Sequence, residues 1–380
     1  MTWLLLVIPI YGLICFYLGW RIWQWLRLFL PHWCGFVFWP LYVAVASSVF
    51  VERLLPMSGA GRIVGHIRNH WLGVFAYALM MILLIDLTRL VRHLYKRIYY
   101  KKGSVPRLST SCGLLTGTVA VLLIAALGLY GSWNARQIRQ VNLEIQISKS
   151  ADVNSLKVIL ASDLHLGLVM DARRLQRFVT AVNDNEPDLI LLAGDLFDSD
   201  YEALADPRAA WTELGRLQAK YGVYACLGNH DAGEDLGEML RFLEKAGIQV
   251  LRDEMVQFAG IVVAGRLDIS PIGDQGDRRP LDKLLVAVDR SRPIILLDHS
   301  PFGIADAKDT PVDLLVSGHA HNGQIFPGNL IVRAVYENGY GYWRFGDLQT
   351  VVTSGVGTWG PPWRIASQAE IVSMKINFDS

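Results

Sequence analysis

The chain has 380 residues, 52% of them apolar and 19% charged, against roughly 45–50% and about 25% in soluble domains. Residues 1–133 hold twelve Lys/Arg and two Asp/Glu, a net of +10, while the remainder holds 24 Lys/Arg and 33 Asp/Glu, a net of −9. This split excludes a uniform soluble globule, a disordered chain and a coiled coil, and an acidic polar half argues against a nucleic-acid partner.

Four apolar stretches come first. Trp3–Trp20, Trp33–Val51 and Ser111–Trp133 carry no charge, and Trp71–Val91 carries only Asp86 and Arg89 near its end. A helix needs about 20 apolar residues to cross roughly 30 Å of hydrocarbon. The sequence therefore predicts a membrane region over 1–133 with four transmembrane helices at about 3–20, 33–51, 70–91 and 111–133. Trp3, Trp20, Trp23, Trp33, Trp71 and Trp133 lie at the edges of these stretches, as an interfacial aromatic belt does. The first stretch lacks the basic start of a signal peptide and reads as a retained helix.

Loops 1–2 and 3–4 hold Arg21, Arg27, Arg89, Arg92, Lys96, Arg97, Lys101, Lys102 and Arg107; the other side holds Arg53, Arg62, Arg68, Arg136 and Arg139. By the excess of Lys/Arg in cytoplasmic loops, the first set faces the cytoplasm and the polar half lies outside. The expected location is the cell (inner) membrane, multi-pass, with an extracytoplasmic polar domain. The basic run from Arg89 to Arg107 reads as this topology signal rather than a lipid site. Asp86 is expected to pair with Arg89, one helical turn on. Cys15, Cys34, Cys112 and Cys226 leave the polar half with one cysteine and no internal disulfide.

Residues 134–155 read as a linker and a first strand, with Val141–Ile147 alternating apolar and polar. Short apolar runs then end in polar clusters. These are Leu156–Asp163 with His165, Asp188–Asp195, Tyr221–Asp231, Pro293–His299 and Val312–His321. Such runs are buried strands. Between them, Leu175, Phe178, Val179 and Val182 keep helical spacing behind a cap at Asp171, as do Leu236, Leu240 and Leu243, and Leu281, Leu284, Leu285 and Val288. Strand–helix alternation predicts an α/β layered domain with ligands at the carboxyl ends of strands.

All five histidines of the polar half, His165, His230, His299, His319 and His321, fall in those clusters with Asp163, Asp195 and Asn229. Imidazole, carboxylate and amide oxygen on loops suit two divalent ions such as Mn²⁺, Fe²⁺ or Zn²⁺. Asp298 reads equally as a support for His299 or a strand-end acid. Trp359, Pro361, Pro362, Trp363 and Arg364 form a stiff aromatic segment suited to a substrate groove, a bilayer contact or ordinary packing.

Asp163-x-His165, Gly194-Asp195, Gly228-Asn-His-Asp231, His299 and Gly318-His-x-His321 resemble the signature of the calcineurin-like metallophosphoesterases. Ser162–Gly167, Gly318–Gln324 and Gly355–Pro362 resemble its bacterial YkuE-type subgroup, some members of which carry N-terminal transmembrane helices. The resemblance covers roughly Leu156 to Ile371. Ala320 and Asn322 depart from the subgroup, which commonly has Thr and Gly there. The resemblance implies a four-layer α/β/β/α metallophosphoesterase sandwich over 156–380, preceded by the four-helix transmembrane region. It implies that Asp163, His165 and His321 hold one metal, that Asn229, His299 and His319 hold the other, and that Asp195 bridges them. His230 would contact phosphate and protonate the leaving group, with Asp231 holding its imidazole. The implied reaction is hydrolysis of a phosphomonoester, phosphodiester or pyrophosphate by a metal-bridging hydroxide. A phosphate-ester substrate and the lipid bilayer are the expected partners. A membrane-proximal site makes lipid-linked or envelope phosphates candidate substrates; some distant relatives of this kind cleave a nucleotide-linked lipid A precursor, which is one such candidate. The alternatives are a non-catalytic scaffold of the same fold and a sensor or transporter regulated by the outer domain.

Overall fold

The computed structural model of the chain describes residues 2–99 and 110–379. Two compact units divide between Tyr130 and Gly131.

The first unit is helical. Its helices are α1 (Thr2–Leu26), α2 (Gly35–Val51), α3 (Ala60–Tyr99) and α4 (Thr110–Asn134), whose last turn belongs to the second unit. Four helical segments, Leu6–Leu26, His32–Leu54, Ala60–Tyr99 and Ser111–Asn134, are long and apolar enough to cross a membrane. They put apolar side chains outward: Leu13, Phe36 and Leu122 are exposed, as a lipid-facing surface requires. The third helix is 40 residues long, far longer than the 70–91 stretch that its hydropathy marks, because the charged turns at both ends keep their backbone hydrogen bonds. Helices α1 and α2 continue through Pro9 and Pro40.

Two expectations change here. Trp23 and Trp71 are buried in helix packing rather than displayed as a belt, whereas Trp20 and Trp33 are exposed. Trp23 stacks on Phe38, and Trp71 donates its indole N–H to the Tyr11 hydroxyl at 2.7 Å. The Trp3 side chain lies outside the described residues, as do Lys101, Lys102 and Arg107 of the basic run. Asp86 meets Arg89 at 3.2 Å as expected, but also Arg21 at 2.6 Å and the Tyr17 hydroxyl. A second ion pair, Arg68 to the buried Glu52 at 2.7 Å, lies within α3 and the turn after α2, where the sequence reads a loop.

The second unit contains β1 (Ile138–Ser150), β2 (Ser155–Ala161), α5 (Ala172–Asn183), β3 (Leu189–Ala193), α6 (Pro207–Leu214), β4 (Val223–Cys226), α7 (Leu236–Lys245) and β5 (Gln249–Val250). It continues with β6 (Glu254–Phe258), β7 (Ile261–Gly265), α8 (Leu281–Leu284), β8 (Ile294–Leu297), α9 (Gly303–Ala307) and β9 (Leu314–Ser317). Then follow α10 (Gly328–Val335), β10 (Gly341–Phe345), β11 (Leu348–Val352) and β12 (Ala369–Asp379). One six-stranded sheet has the order β1-β12-β2-β3-β4-β5, the other β10-β11-β9-β8-β7-β6. Strands β2, β3 and β4 are parallel, and so are β7, β8, β9 and β11.

Side-chain alternation builds four layers. Val158 and Leu160 of β2 point between the sheets with Leu191, Ile295, Leu297 and Val316. Ile159 and Ala161 point the other way, onto Phe178, Val182, Phe242 and Leu243 of the helices. On the far face, Ile294, Leu296 and Leu315 meet Leu281, Leu285 and Ile304. Three apolar interfaces thus separate helix, sheet, sheet and helix, the α/β/β/α sandwich. Both faces of β3 are covered, so all its residues are buried, and the strand reads as an unbroken apolar run.

The amphipathic helix α5 follows its sequence pattern, with Leu175, Phe178, Val179 and Val182 buried and the Asp171 carboxylate accepting the Arg174 N–H at 2.8 Å. In α7 the buried stripe is Met239, Phe242 and Leu243, rather than Leu236, Leu240 and Leu243, with Leu236 and Leu240 half-buried beside it. Only Leu281–Leu284 is helical in the next pattern, although Leu285 and Val288 are also buried.

Candidate metal centre

The carboxyl ends of parallel strands from both sheets converge on one place. Asp163 follows β2 by two residues, Asp195 follows β3, Asn229 follows β4, His299 follows β8 and His319 follows β9. Leaving a strand and turning a side chain back into the cleft needs unusual backbone angles. Asp163, His165, Asp195, His319 and His321 all have positive φ, between 46° and 67°. Each such residue costs on the order of 1–3 kcal/mol, a strain concentrated where function needs it. Gly228 packs so closely that a Cβ there would overlap the Asp195 carboxylate.

Two groups form. The ligating atoms of Asp163, His165 and His321 lie within 4.8 Å of one another, as do those of Asp195, His299 and His319. In the first, His165 Nε2 is 3.1 Å from His321 Nε2, which is 3.2 Å from Asp163 Oδ1. In the second, His299 Nε2 is 3.2 Å from both Asp195 Oδ2 and Asn229 Oδ1, and Asn229 Oδ1 is 2.8 Å from His319 Nδ1. The same Asp195 Oδ2 is 3.9 Å from His165 Nε2, so one carboxylate faces both groups.

These residues fit a metal pair. His299 Nδ1 lies 2.7 Å from the Ala193 carbonyl. A carbonyl only accepts, so Nδ1 carries a proton and Nε2 is the nitrogen turned toward the two oxygens. Burial opposes charge on His299, yet Asp195 outweighs it and holds the imidazole pKa well above its ordinary value. Burial likewise opposes ionisation of Asp163, but His321, His299 and His165 hold its carboxyl below the usual range. The pocket demands positive charge beside ionised carboxylates. Burial pushes His319 and His321 down to about 4, leaving them neutral and able to ligate. Nitrogen and oxygen donors of this mix suit divalent first-row ions.

His230 lies beside the first group, its ring 5.2 Å from His165 and 6.3 Å from Trp359. The expected bond from Asp231 to His230 is absent among the described residues. The Asp231 carboxylate accepts instead from the backbone N–H groups of Gly228 at 2.8 Å, Phe197 at 2.8 Å and Leu196 at 3.1 Å. Adjacent side chains in this turn point apart, so Asp231 faces inward and ties the β4 loop to the β3 loop. Burial, with the Asp195 charge, pushes its pKa up to about 7. Ser199 is the partner of His230, with Oγ 2.5 Å from Nδ1. Asp298 touches neither group through its carboxylate; it meets Arg278 at 2.6 Å and Arg266 at 3.3 Å.

Sequence reasoning passes over three residues here. Asp198 Oδ1 is 3.5 Å from His165 Nδ1, a buried nitrogen with no hydrogen bond among the described residues. Its signal was its place in the Asp195 loop. Ser199 carries no signal in sequence. Arg364 was visible only as a lone cation in an aromatic segment. It is fully buried, donates to the carbonyls of Ser354, Gly355, Gly357 and Gln368, and comes within 3.5 Å of His321 Nδ1. Trp363, Pro361 and Pro362 are buried beside it, while Trp359 is exposed.

Residues 156–323 match the model of the calcineurin-like phosphoesterase family. An uncharacterized metallophosphoesterase of Aquifex aeolicus is 34% identical over 262 residues, 68% of this chain and 97% of that one. A zebrafish transmembrane protein with a metallophosphoesterase domain is 29% identical over 327 residues, covering 80% of this chain and 74% of that one. The uncharacterized metallophosphoesterase YkuE of Bacillus subtilis is 26% identical over 266 residues, 67% of this chain and 92% of that one. The chain spans 60% of the length of two Helicobacter pylori metallophosphoesterases that it matches at 33% identity. Fold, strand-end His/Asp groups and relatives agree, and the chain belongs to the calcineurin-like phosphoesterase family.

Proposed function

We propose that the chain is a membrane-anchored phosphoesterase that uses two divalent ions to hydrolyse a phosphomonoester, phosphodiester or pyrophosphate, with lipid-linked or envelope phosphates as its substrates. The observation that carries this reading is Asp195, whose carboxylate faces the His165 group and the His299 group at once. Asp163, His165 and His321 would hold one ion; Asn229, His299 and His319 would hold the other; Asp195 would bridge. Mn²⁺, Fe²⁺ and Zn²⁺ match this donor set. When bound, such a pair polarises phosphoryl oxygens and lowers the pKa of a water near phosphorus.

The protein's own groups do the rest. His299 is oriented by the Ala193 carbonyl and His165 by Asp198, so each turns Nε2 into the cleft. Ser199 occupies Nδ1 of His230 and leaves Nε2 to hand a proton to the leaving oxygen. Asp231 fixes the turn that carries Asn229 and His230 rather than the imidazole itself. The four apolar helices anchor the enzyme in the cell (inner) membrane, and the Lys/Arg distribution favours an extracytoplasmic active site.

The test is hydrolysis by the full chain in detergent, stripped with a chelator and given Mn²⁺, Zn²⁺ or Mg²⁺. The substrates are p-nitrophenyl phosphate and bis(p-nitrophenyl) phosphate, beside an Asp195→Asn control. Metal-restored turnover missing in the control supports the reading. A folded protein that binds no metal overturns it.

A further inference from the structure

We infer that α10, with Phe326 and Trp359, is a second membrane contact: a helix lying in the bilayer surface beside the metal centre. Short amphipathic helices normally turn their apolar face to the core. Here only Val332 is buried, while Leu330, Ile331 and Val335 are 52%, 62% and 53% exposed. At 100° per residue, Leu330, Ile331, Ala334 and Val335 fill an arc of about 140°, with Val332 about 60° beyond one edge and Arg333 about 60° beyond the other. Phe326, just before the helix, and Trp359 are exposed as well. An apolar outer face flanked by a basic residue, Arg333, is what an interfacial helix presents to lipid, and exposed Trp and Phe favour the same depth.

The backbone tells which partner covers this face. Phe326 N–H donates to the Ile365 carbonyl at 2.9 Å, and Ile365 N–H donates back to the Gln324 carbonyl at 2.9 Å. One residue earlier, Arg364 N–H donates to the Gly131 carbonyl at 3.0 Å, in the last turn of α4. The apolar face is thus rooted where the fourth membrane-length helix ends. The Gln324 side chain also holds Trp359, donating to its carbonyl at 2.8 Å and accepting its N–H at 2.8 Å. The same pieces border the cleft: Trp359 is next to His230, and Tyr336, which ends α10, has its ring 6.4 Å from His319. A lipid surface touching this face would lie at the mouth of the metal centre. The contact goes beyond the phosphoesterase reading, and its test reads no turnover.

The experiment uses the unaltered full chain in phosphatidylcholine vesicles. A small fraction of the lipid carries a photoactivatable diazirine near the glycerol end of an acyl chain. After illumination, adducts are mapped by mass spectrometry. The expected result is lipid adducts on residues 326–335 in addition to the apolar helices. In Leu330→Ser/Ile331→Ser/Val335→Ser, adducts on 326–335 should fall at least tenfold while those on α1 to α4 stay unchanged, which also reports that the variant is inserted. Adducts confined to residues 2–134 would overturn the proposal. So would a protein-protein cross-link from 326–335, which would show a second copy or another part of the chain covering the face. A loss of metal-dependent hydrolysis in the separate assay bears on the phosphoesterase reading alone.

Discussion

The side-chain amide of Asn134 donates to the carbonyl of Arg364 at 3.0 Å, joining the last residue of α4 to the loop that carries the largest fully buried side chain of the second unit. The same amide donates to the Ser367 carbonyl at 2.9 Å, and Ser367 Oγ donates to the His321 carbonyl at 2.7 Å. The end of a membrane-length helix is therefore two hydrogen bonds from a candidate metal-ligand histidine. Asn134→Ala leaves two buried carbonyls without donors, each worth roughly 1–3 kcal/mol. The full chain in detergent should melt several degrees lower, which thermal unfolding monitored by tryptophan fluorescence will show.

Arg364 should not tolerate lysine. Its planar head reaches Gly357 and Ser354 on one side and Ser367 and Gln368 on the other. An ammonium with three donors on a flexible stem cannot span them. The Gly355–Gly357 turn that it holds covers Asp163, with Gly357 N–H donating to the Asp163 carbonyl at 2.7 Å. Arg364→Lys should cost on the order of 3 kcal/mol or more, measured as a shift in denaturant midpoint. A variant with wild-type stability would refute this account of the loop.

Asp198 should tune the metal centre without supporting the fold. It is near His165 Nδ1, partly solvent-accessible, and the carboxylate partner of a candidate ligand. Losing such a partner typically lowers metal affinity by about 10–100-fold. Asp198→Asn should show that loss in a metal titration while its apo melting temperature stays within a degree or two of wild type. An equal loss of affinity and stability would mean a structural role instead.

How much of this was legible in sequence depends on distance along the chain. The strand-end clusters were readable because a parallel strand buried on both faces is an unbroken apolar run, and polar residues right after it have one place to go. Helix α5 was readable because all its partners lie on one face. The Asp231 contact was not, since a residue beside His230 in sequence suggests a bond that the turn's geometry forbids. Ser199, Arg364 and Asn134 act across 31, 43 and 230 residues, on His230, His321 and the Arg364 carbonyl respectively. No local pattern encodes pairings of that separation. The outward apolar face of α10 was invisible for the opposite reason: its periodicity is that of an ordinary core helix, and only the fold shows which side is covered.

Metal should stabilise the folded chain measurably. Five of the candidate ligands sit at positive φ, and two carboxylates and four imidazoles form two groups whose candidate ligand atoms lie within 4.8 Å of one another. An unfolded chain has no such array, so a bound ion favours the folded state by RT ln(1 + [L]/Kd), about 4 kcal/mol at a thousandfold excess over Kd. Adding Mn²⁺ or Zn²⁺ to chelator-stripped protein should raise the melting temperature by several degrees. Asp195→Asn should remove most of that rise, because it takes the one carboxylate facing both groups. Gly228→Ala should do the same by pushing a methyl group into that carboxylate. If the apo and metal-treated proteins melt together while both remain folded, the strand-end histidines serve packing and not metal.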